Sequence, residues 1–215
     1  MPRVISVNVG RPKDRDWAAL GYTSIDKRPV SGAVRAHANG LVGDVVSDTK
    51  HHGGAEQAVY VFAREDLDVW GARLGADLRD GQFGENLTTE GIDVNAAEIG
   101  ERWRIGTVLL EVCSVRTPCN DFKGWMGASG YDNAHWVRRF AQEARPGPYL
   151  RVLEEGTLQA GDEIEVVHRP GHGITVTTLF KALNTDHSLR PLLVGIAGLG
   201  DKPRRVVEEY AAGLV

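Results

Sequence analysis

The sequence predicts a mainly β fold with peripheral helices, in which a β-barrel is followed by a small C-terminal α-helical extension. Up to residue 168 the chain is a series of short segments rich in β-branched and aromatic residues, separated by glycine-containing turns. After residue 168 the apolar residues recur at helical spacing. We therefore predict a barrel domain over residues 1–168 and a three-helix extension over residues 174–215.

Several segments have the pattern of strands. The first, residues 4–9, alternates in the way that a half-buried strand does. Turns made of a glycine and an acidic residue precede others, at Gly43-Asp44, Gly100-Glu101 and Gly161-Asp162. The predicted strands are residues 4–9, 58–62, 104–113, 149–153 and 163–167.

Two helices interrupt the strands, over residues 64–74 and 133–144. In the first, Leu67, Trp70 and Leu74 lie on one face. Both helices carry a single apolar stripe, so we expect them to pack at the periphery of the sheet.

The extension follows a flexible stretch at residues 169–173. Asp201 is expected to cap its last helix, with Pro203 tolerated in the first turn. Three short helices cannot bury a core alone, so we expect them to pack on the barrel or on a second subunit of a homodimer. The predicted helices are residues 174–183, 189–197 and 203–212.

Composition excludes several classes of protein. The 215 residues have a net charge of -4 and no basic stripe, which argues against binding to duplex nucleic acid. No apolar run reaches membrane-spanning length, and the N-terminus has no apolar signal region. Two cysteines do not make a disulfide framework. We therefore expect a cytoplasmic protein that does not enter a membrane.

Cys119 is the first candidate site residue. It follows a predicted strand and Pro118, which cannot donate to a sheet, so it is expected at a strand exit. Arg116 lies three residues before it and supplies a positive charge that favours a thiolate. The alternative, a half-buried hydrophobic cysteine, has about equal weight on local sequence alone.

The second candidate is the stretch Lys50-His51-His52-Gly53-Gly54. Successive glycines can turn backbone amides toward an anion, and the lysine adds charge, as in a phosphate-binding nest. A solvated turn is the alternative that the stretch alone favours, because glycine pairs mark turns more often than phosphate sites. The histidines also suggest zinc, although no second cluster of ligands accompanies them.

The third candidate is residues 81–91, which contain too much glycine and polar side chain for a strand interior and are expected to form a loop. Asn86 and Thr88 can donate and accept hydrogen bonds there, and Gly84 permits close approach of a ligand. Glu85 is a candidate general base, but a solvated carboxylate is favoured for it.

Taken together, the motifs KHHGG, GENL and RTPC, in this order, resemble those of the MOSC domain. This family is named for the C-terminal domain of molybdenum cofactor sulfurase. The similarity covers nearly the whole chain and is greatest to the YiiM-like branch, which has a three-helix C-terminal extension. It implies a MOSC-type β-barrel that binds the molybdenum cofactor in its molybdopterin form.

The resemblance also assigns roles to residues. It implies that Cys119 is the metal ligand and that Arg116 lies beside the metal or a pterin phosphate, which makes both the expected catalytic residues. Cys113 is not needed by the motif, and its place in a strand predicts a structural role. The expected cofactor-binding residues are Lys50, His52, Gly53, Gly54, Asn86 and Arg116.

Characterised members of the family reduce N-hydroxylated compounds, such as hydroxylamino bases, to amines, and the resemblance implies the same here. Two cysteines cannot hold an all-cysteine iron–sulfur cluster and no dinucleotide motif is present, so electrons are expected from a separate protein or small reductant. Alternatives are a sulfur carrier that uses a Cys119 persulfide and a zinc hydrolase. Family descriptions also mention pyridoxal phosphate, but no lysine here has a context that supports a Schiff base.

Overall fold

The structure, a computed structural model, describes residues 1–213. The strands are β1 (Arg3–Val9), β2 (Lys13–Asp14), β3 (Tyr22–Thr23), β4 (Arg28–Pro29), β5 (Val34–His37), β6 (Gly40–Leu41), β7 (Val59–Ala63), β8 (Leu87–Glu90), β9 (Arg102–Ile105), β10 (Val108–Val115), β11 (Pro148–Glu154), β12 (Gly156–Leu158) and β13 (Ile164–His168). The α-helices are α1 (Arg64–Leu74), α2 (Asn120–Ala128), α3 (Trp136–Glu143), α4 (Val176–Asn184) and α5 (Asp201–Ala211). Short 3-10 helices cover Ala55–Gln57 and His187–Leu193.

The main sheet confirms the predicted mainly β fold with peripheral helices. It has eight strands in the order β13-β9-β10-β11-β7-β8-β1-β4, and only its β7–β8 pair is parallel. The predicted barrel is not fully closed. β1 meets β13 only through a bridge between Arg3 and Glu163 and adjoining backbone hydrogen bonds, because β13 pairs along its length with β9.

Four of the five predicted strands are confirmed as β1, β7, β11 and β13. The prediction of a single strand over residues 104–113 is wrong, because the chain turns at Gly106 and forms the β9–β10 hairpin. Gly106 has a φ of 55°, and a Cβ there would lie 2.4 Å from the Thr157 carbonyl oxygen. Only glycine fits this turn without displacing its neighbour.

The first predicted helix is confirmed as α1, whereas the second begins later than predicted, at Trp136. His135 precedes it in the left-handed region, with a φ of 53°, so the helix cannot start earlier. The sequence missed α2, since two glycines lower its helix propensity. One of them, Gly124, is required by packing: a Cβ there would lie 2.5 Å from the Trp17 ring.

The extension packs on the sheet, which is one of the two arrangements that the sequence predicted for it. Gly200 donates its N–H to the Cys113 carbonyl at 2.8 Å. The predicted helix over residues 189–197 is instead the 3-10 helix His187–Leu193, which contains Pro191 and therefore lacks one backbone donor. Residues 214 and 215 of the predicted extension lie outside the described residues, and the division into two domains stays a prediction.

The expected cap of the last helix is wrong. Gly200 is the N-cap of α5, and Asp201 is its first helical residue. The carboxylate that accepts the Asp201 N–H belongs to Glu56, far away in sequence. This contact ties the extension to the segment that precedes β7.

Buried aromatic rings join the first three helices to the sheet. Phe83 lies at the centre, with Phe122 of α2 at 5.1 Å and Trp136 of α3 at 5.7 Å between ring centroids. Trp70 of α1 is 4.8 Å from Trp136. This cluster fixes α2, and therefore the residue that precedes it, against the sheet. Within residues 1–213, no helix has the length and apolar character needed to cross a membrane.

Candidate functional site

A cavity of about 510 Å³ lies at one end of the main sheet. Most of its walls come from residues 22–27 and 37–58, and the rest come from the first residues of β7 and β11, the segment that precedes β8 and the segment that follows β10. Six of the seven residues predicted for the site line it: His52, Gly53, Gly54, Asn86, Arg116 and Cys119. Lys50 is exposed and does not line the cavity.

Cys119 is the last residue of the four-residue connection between β10 and α2. It is the N-cap of this helix, and its Sγ accepts a hydrogen bond from the Phe122 N–H at 3.4 Å. The thiol is half-buried and faces the cavity. The N-terminal end of a helix stabilises negative charge, so this position suits an anionic sulfur.

Arg116 is 7% exposed, and its guanidinium carbon lies 4.3 Å from the Phe122 ring centroid and 5.1 Å from that of Tyr60. Within residues 1–213 no carboxylate pairs with it, and its Nε has no hydrogen-bond partner. Burial lowers the pKa of Arg116, but the nearby Tyr60, Tyr149, Cys119 and Glu85 raise it above its ordinary value. A buried cation without a carboxylate partner is a feature that suits the binding of an anion.

A buried ion pair also lies in the cavity wall. Lys27 is 8% exposed, and its Nζ contacts both carboxylate oxygens of Asp44. Asp44 also accepts hydrogen bonds from the Gly10 N–H at 2.7 Å and from Asn86 Nδ2 at 2.8 Å. Burial lowers the pKa of Lys27, and the Asp44 carboxylate opposes that shift.

Asn86 lies inside this network, and its amide is largely occupied. Its Oδ1 accepts the Tyr60 N–H at 3.1 Å, and its Nδ2 also donates to the Asn8 carbonyl at 3.3 Å. Asn86 therefore joins the beginning of β7 to β1 and holds Asp44 in place. Its side chain is suited to shaping the cavity.

The glycine-containing stretch forms part of the cavity mouth. Gly53 and Gly54 both have φ of 79°, which an L side chain rarely adopts. The Gly53 N–H already donates to Gln57 Oε1 at 2.9 Å, so the predicted nest is partly occupied by the protein itself. Burial lowers the pKa of His52 to about 4, with a contribution from Arg116, so this imidazole is neutral at pH 7.

Glu85 differs from its expected solvated state, because its side chain is 0% exposed. It accepts hydrogen bonds from the N–H groups of Gly81 at 2.6 Å and Phe83 at 2.9 Å and from the Thr88 hydroxyl at 3.0 Å. Burial raises its pKa to about 7 despite these bonds. Glu85 therefore folds the loop that precedes β8 and does not line the cavity. The predicted loop is also shorter than expected, since residues 87–90 form β8.

The other cysteine is structural, as predicted. Cys113 is 0% exposed, its Sγ contacts the Glu56 carbonyl oxygen at 3.2 Å, and burial raises its pKa to about 12. No group of three or more His, Cys, Asp or Glu side chains suited to a metal occurs within residues 1–213. The zinc hypothesis therefore has no three-residue ligand set in that part of the chain.

Sequence reasoning missed Lys27, Asp44, Tyr60 and Tyr149, all of which line the cavity. Asp44 was assigned only to a glycine turn, and Tyr60 only to strand packing. Lys27 lies in an irregular segment without periodicity, so no local signal identified it. The pairing of Lys27 with Asp44 joins residues 17 positions apart and depends on the tertiary structure.

Comparison with known proteins identifies the family of this chain. The model of the MOSC domain matches residues 48–165. YflK from Bacillus subtilis strain 168 is 32% identical over 174 residues, which cover 80% of this chain and 76% of YflK. YiiM from Escherichia coli K12 is 26% identical over 150 residues, which cover 68% of this chain and 65% of YiiM.

Solved structures show the same fold. The crystal structure of YiiM from Geobacillus stearothermophilus matches with a TM-score of 0.79 at 22% identity and covers 100% of both chains. The crystal structure of YiiM from Escherichia coli has a TM-score of 0.76 at 21% identity, covering 99% of this chain and 94% of the other. The chain therefore belongs to the MOSC domain family.

Proposed function

We propose that the cavity binds the molybdenum cofactor in its molybdopterin form and that the protein reduces N-hydroxylated compounds to amines. The observation that carries this proposal is one cavity that contains both a half-buried thiol, Cys119, and a buried guanidinium, Arg116, whose Nε has no hydrogen-bond partner within residues 1–213. Membership of the MOSC family supports the choice of cofactor.

The residues present fit such a cofactor. Cys119 supplies one soft ligand, and a metal bound there would take its remaining ligands from the sulfur atoms of the cofactor or from water. The Arg116 Nε without a partner suits an oxygen of the pterin phosphate. Gly53 and Gly54 line the mouth; a Cβ at Gly54 would meet no atom within 4 Å, whereas one at Gly53 would lie 3.2 Å from Val46 Cγ1.

Each wall residue has a defined task in this proposal. Arg116 holds the anionic group and adds positive charge beside the ligand sulfur. His52 is neutral near pH 7 and offers a hydrogen bond without adding charge. Lys27 Nζ holds a proton on the cavity wall, and Asp44 and Asn86 fix its position.

The reaction consumes two electrons and two protons, and it converts R–NHOH into R–NH₂ and water. When bound, the molybdenum cofactor supplies the two-electron exchange and the acceptance of oxygen. We propose that a separate protein or small reductant delivers the electrons. Lys27 Nζ is the residue we propose for supplying a proton to the departing oxygen.

A sulfur carrier is the second candidate, and the N-cap position of Cys119 supports it. The Phe122 N–H that contacts Sγ would stabilise a persulfide anion as well as a thiolate. In that case the protein transfers sulfur and performs no reduction.

Metal analysis separates the two candidates. The protein would be produced in cells with and without pterin biosynthesis, as wild type, Cys119→Ser and the matched control Cys113→Ser. We expect close to one molybdenum per chain, lost in Cys119→Ser and retained in folded Cys113→Ser.

Activity is the second readout. The reduced wild-type protein is expected to convert an N-hydroxylated base into its amine, and Cys119→Ser is not. Sulfur bound to Cys119 without molybdenum would support the carrier, and stoichiometric zinc would exclude both candidates.

A further inference from the structure

A second cavity, of about 260 Å³, lies at the junction between the sheet and the C-terminal extension. We call it the junction cavity. Its walls are formed by the residues around Thr117, by the loop that contains His51, and by α4 and α5. It shares His52, Gln57 and Tyr149 with the main cavity, so the two cavities are neighbours.

The backbone at the end of β10 and just after it lies between the two cavities. Along the extended segment after β10, Arg116 faces the main cavity, whereas its neighbours Val115 and Thr117 face the junction cavity. The alternation expected of an extended backbone holds from Val115, the last residue of β10, to Thr117, whereas Ser114, beside a register irregularity in β10, lines the junction cavity together with Val115. The junction cavity is therefore built by the same segment that supplies the proposed metal ligand.

The polar groups of the junction cavity are mainly donors. Lys202 Nζ uses one of its three protons on the His51 carbonyl, at 2.6 Å. Gln57 Oε1 accepts the Gly53 N–H, which leaves its amide N–H groups free of any partner in residues 1–213. The hydroxyls of Ser114 and Thr117 likewise make no hydrogen bond within the described chain.

Acidic side chains are absent from this lining. No Asp or Glu within residues 1–213 lines the junction cavity. The nearby Glu56 is directed elsewhere, because its carboxylate contacts Arg151 and accepts the Asp201 N–H. Lys202 has no carboxylate partner among the described residues, so its charge is not neutralised by the protein.

We propose that the junction cavity is a second binding site, which takes a small oxyanion of the phosphate or carboxylate class. Lys202 supplies the charge, and the hydroxyls of Ser114 and Thr117 donate hydrogen bonds to the oxygen atoms. The cavity volume suits a small anion together with water. This site does not depend on the proposed cofactor, and it can be tested in the protein without metal.

The test is a titration of the isotope-labelled full chain with inorganic phosphate, followed by amide NMR spectra. We expect saturable shifts at Ser114, Thr117 and Lys202. Lys202→Met should weaken this binding by roughly tenfold or more, because a charge-assisted bond is lost. Lys202 is exposed, so the variant is expected to fold.

Two further variants make the result specific. Lys181→Met removes an exposed lysine of α4 that does not line the cavity, and it should bind phosphate as the wild type does. Arg116→Met should abolish shifts around Gly53 and leave those at Lys202. Acetate, titrated in parallel, distinguishes a carboxylate from a phosphate preference.

The proposal is overturned if wild-type shifts at these residues do not saturate, or if Lys202→Met and Lys181→Met bind equally. It is also overturned if Arg116→Met removes both sets of shifts, since the anion would then occupy only the main cavity. None of these outcomes bears on whether Cys119 binds a metal.

Discussion

Two buried basic residues, Lys27 and Arg116, face the same cavity, and they differ in whether a carboxylate pairs with them. On what we call the paired wall, Lys27 contacts Asp44, which Asn86 holds in place. On the open wall, Arg116 lies beside Cys119 and has no carboxylate partner within residues 1–213. Both side chains are less than 10% exposed overall.

The difference separates a wall whose charges stabilise the fold from a wall that, in our proposal, binds a ligand. Removing a charge from solvent costs several kcal/mol, and an ion pair offsets most of that cost. The paired wall therefore contributes to a stable structure by itself. On the open wall the Arg116 charge has no carboxylate partner within residues 1–213; it stacks on Phe122 and Tyr60, and the nearby Tyr60, Tyr149, Cys119 and Glu85 favour its charged form. The predictions below test this distinction.

The largest expected effect is on the paired wall. Asp44→Ala leaves the buried Lys27 charge without its partner and should lower the free energy of unfolding by about 3–5 kcal/mol. Urea denaturation measures this change. The control is Asp132→Ala, which breaks an exposed ion pair with Arg139 and should cost at most about 1 kcal/mol. Equal effects in the two variants would remove the distinction between this pair and an exposed one.

Glu85 lies behind both walls and should make stability depend on pH. Its folded pKa of about 7 exceeds the ordinary value of 4.5, so the folded state binds the extra proton between these pH values. The Glu85 contribution to stability is therefore present below pH 4.5 and lost as pH rises to 7, a change on the order of 3 kcal/mol.

Glu85→Gln isolates this effect. The variant loses a hydrogen bond to backbone N–H, so its stability is lower overall, but the pH-dependent part should disappear. The exposed Glu154 provides the control, and Glu154→Gln should keep the wild-type slope. A slope unchanged in Glu85→Gln would assign the pH dependence to another group.

The open wall should respond to substitution through binding. Arg116→Met removes an unpaired buried charge and keeps apolar contact with Phe122, so the free energy of unfolding should change by less than about 1 kcal/mol. Lys27→Met should instead destabilise the protein as strongly as Asp44→Ala. Phosphate binding in the main cavity should weaken by roughly ten- to a hundredfold in Arg116→Met. A severe loss of stability in Arg116→Met would mean that this residue is structural.

The smallest expected effect is a difference in reactivity between the two thiols of the folded protein. Cys119 is half-buried at the cavity, whereas Cys113 is fully buried and its pKa is raised to about 12 by burial. Alkylation with iodoacetamide, followed by peptide mass spectrometry, should modify Cys119 and leave Cys113 intact. Labelling of Cys113 before unfolding would contradict the assigned burial.

Sequence reasoning identified the two main residues of the open wall. Arg116 and Cys119 are close in sequence, so a motif of four residues carries both. On the paired wall it identified Asn86 but missed Lys27 and Asp44, because the three residues come from separate segments and no local pattern links them. It also missed α2, because Gly124 is required by the Trp17 ring rather than by helix propensity.

The sequence by itself determined the strand-rich class, helix α1 and the family motifs, because these depend on local periodicity and on residues near one another in the chain. Only the tertiary structure decided that Cys119 begins a helix, that Glu85 is buried and that Lys27 is paired while Arg116 is not. Charge pairing and burial depend on which distant segments meet, and no local pattern encodes that.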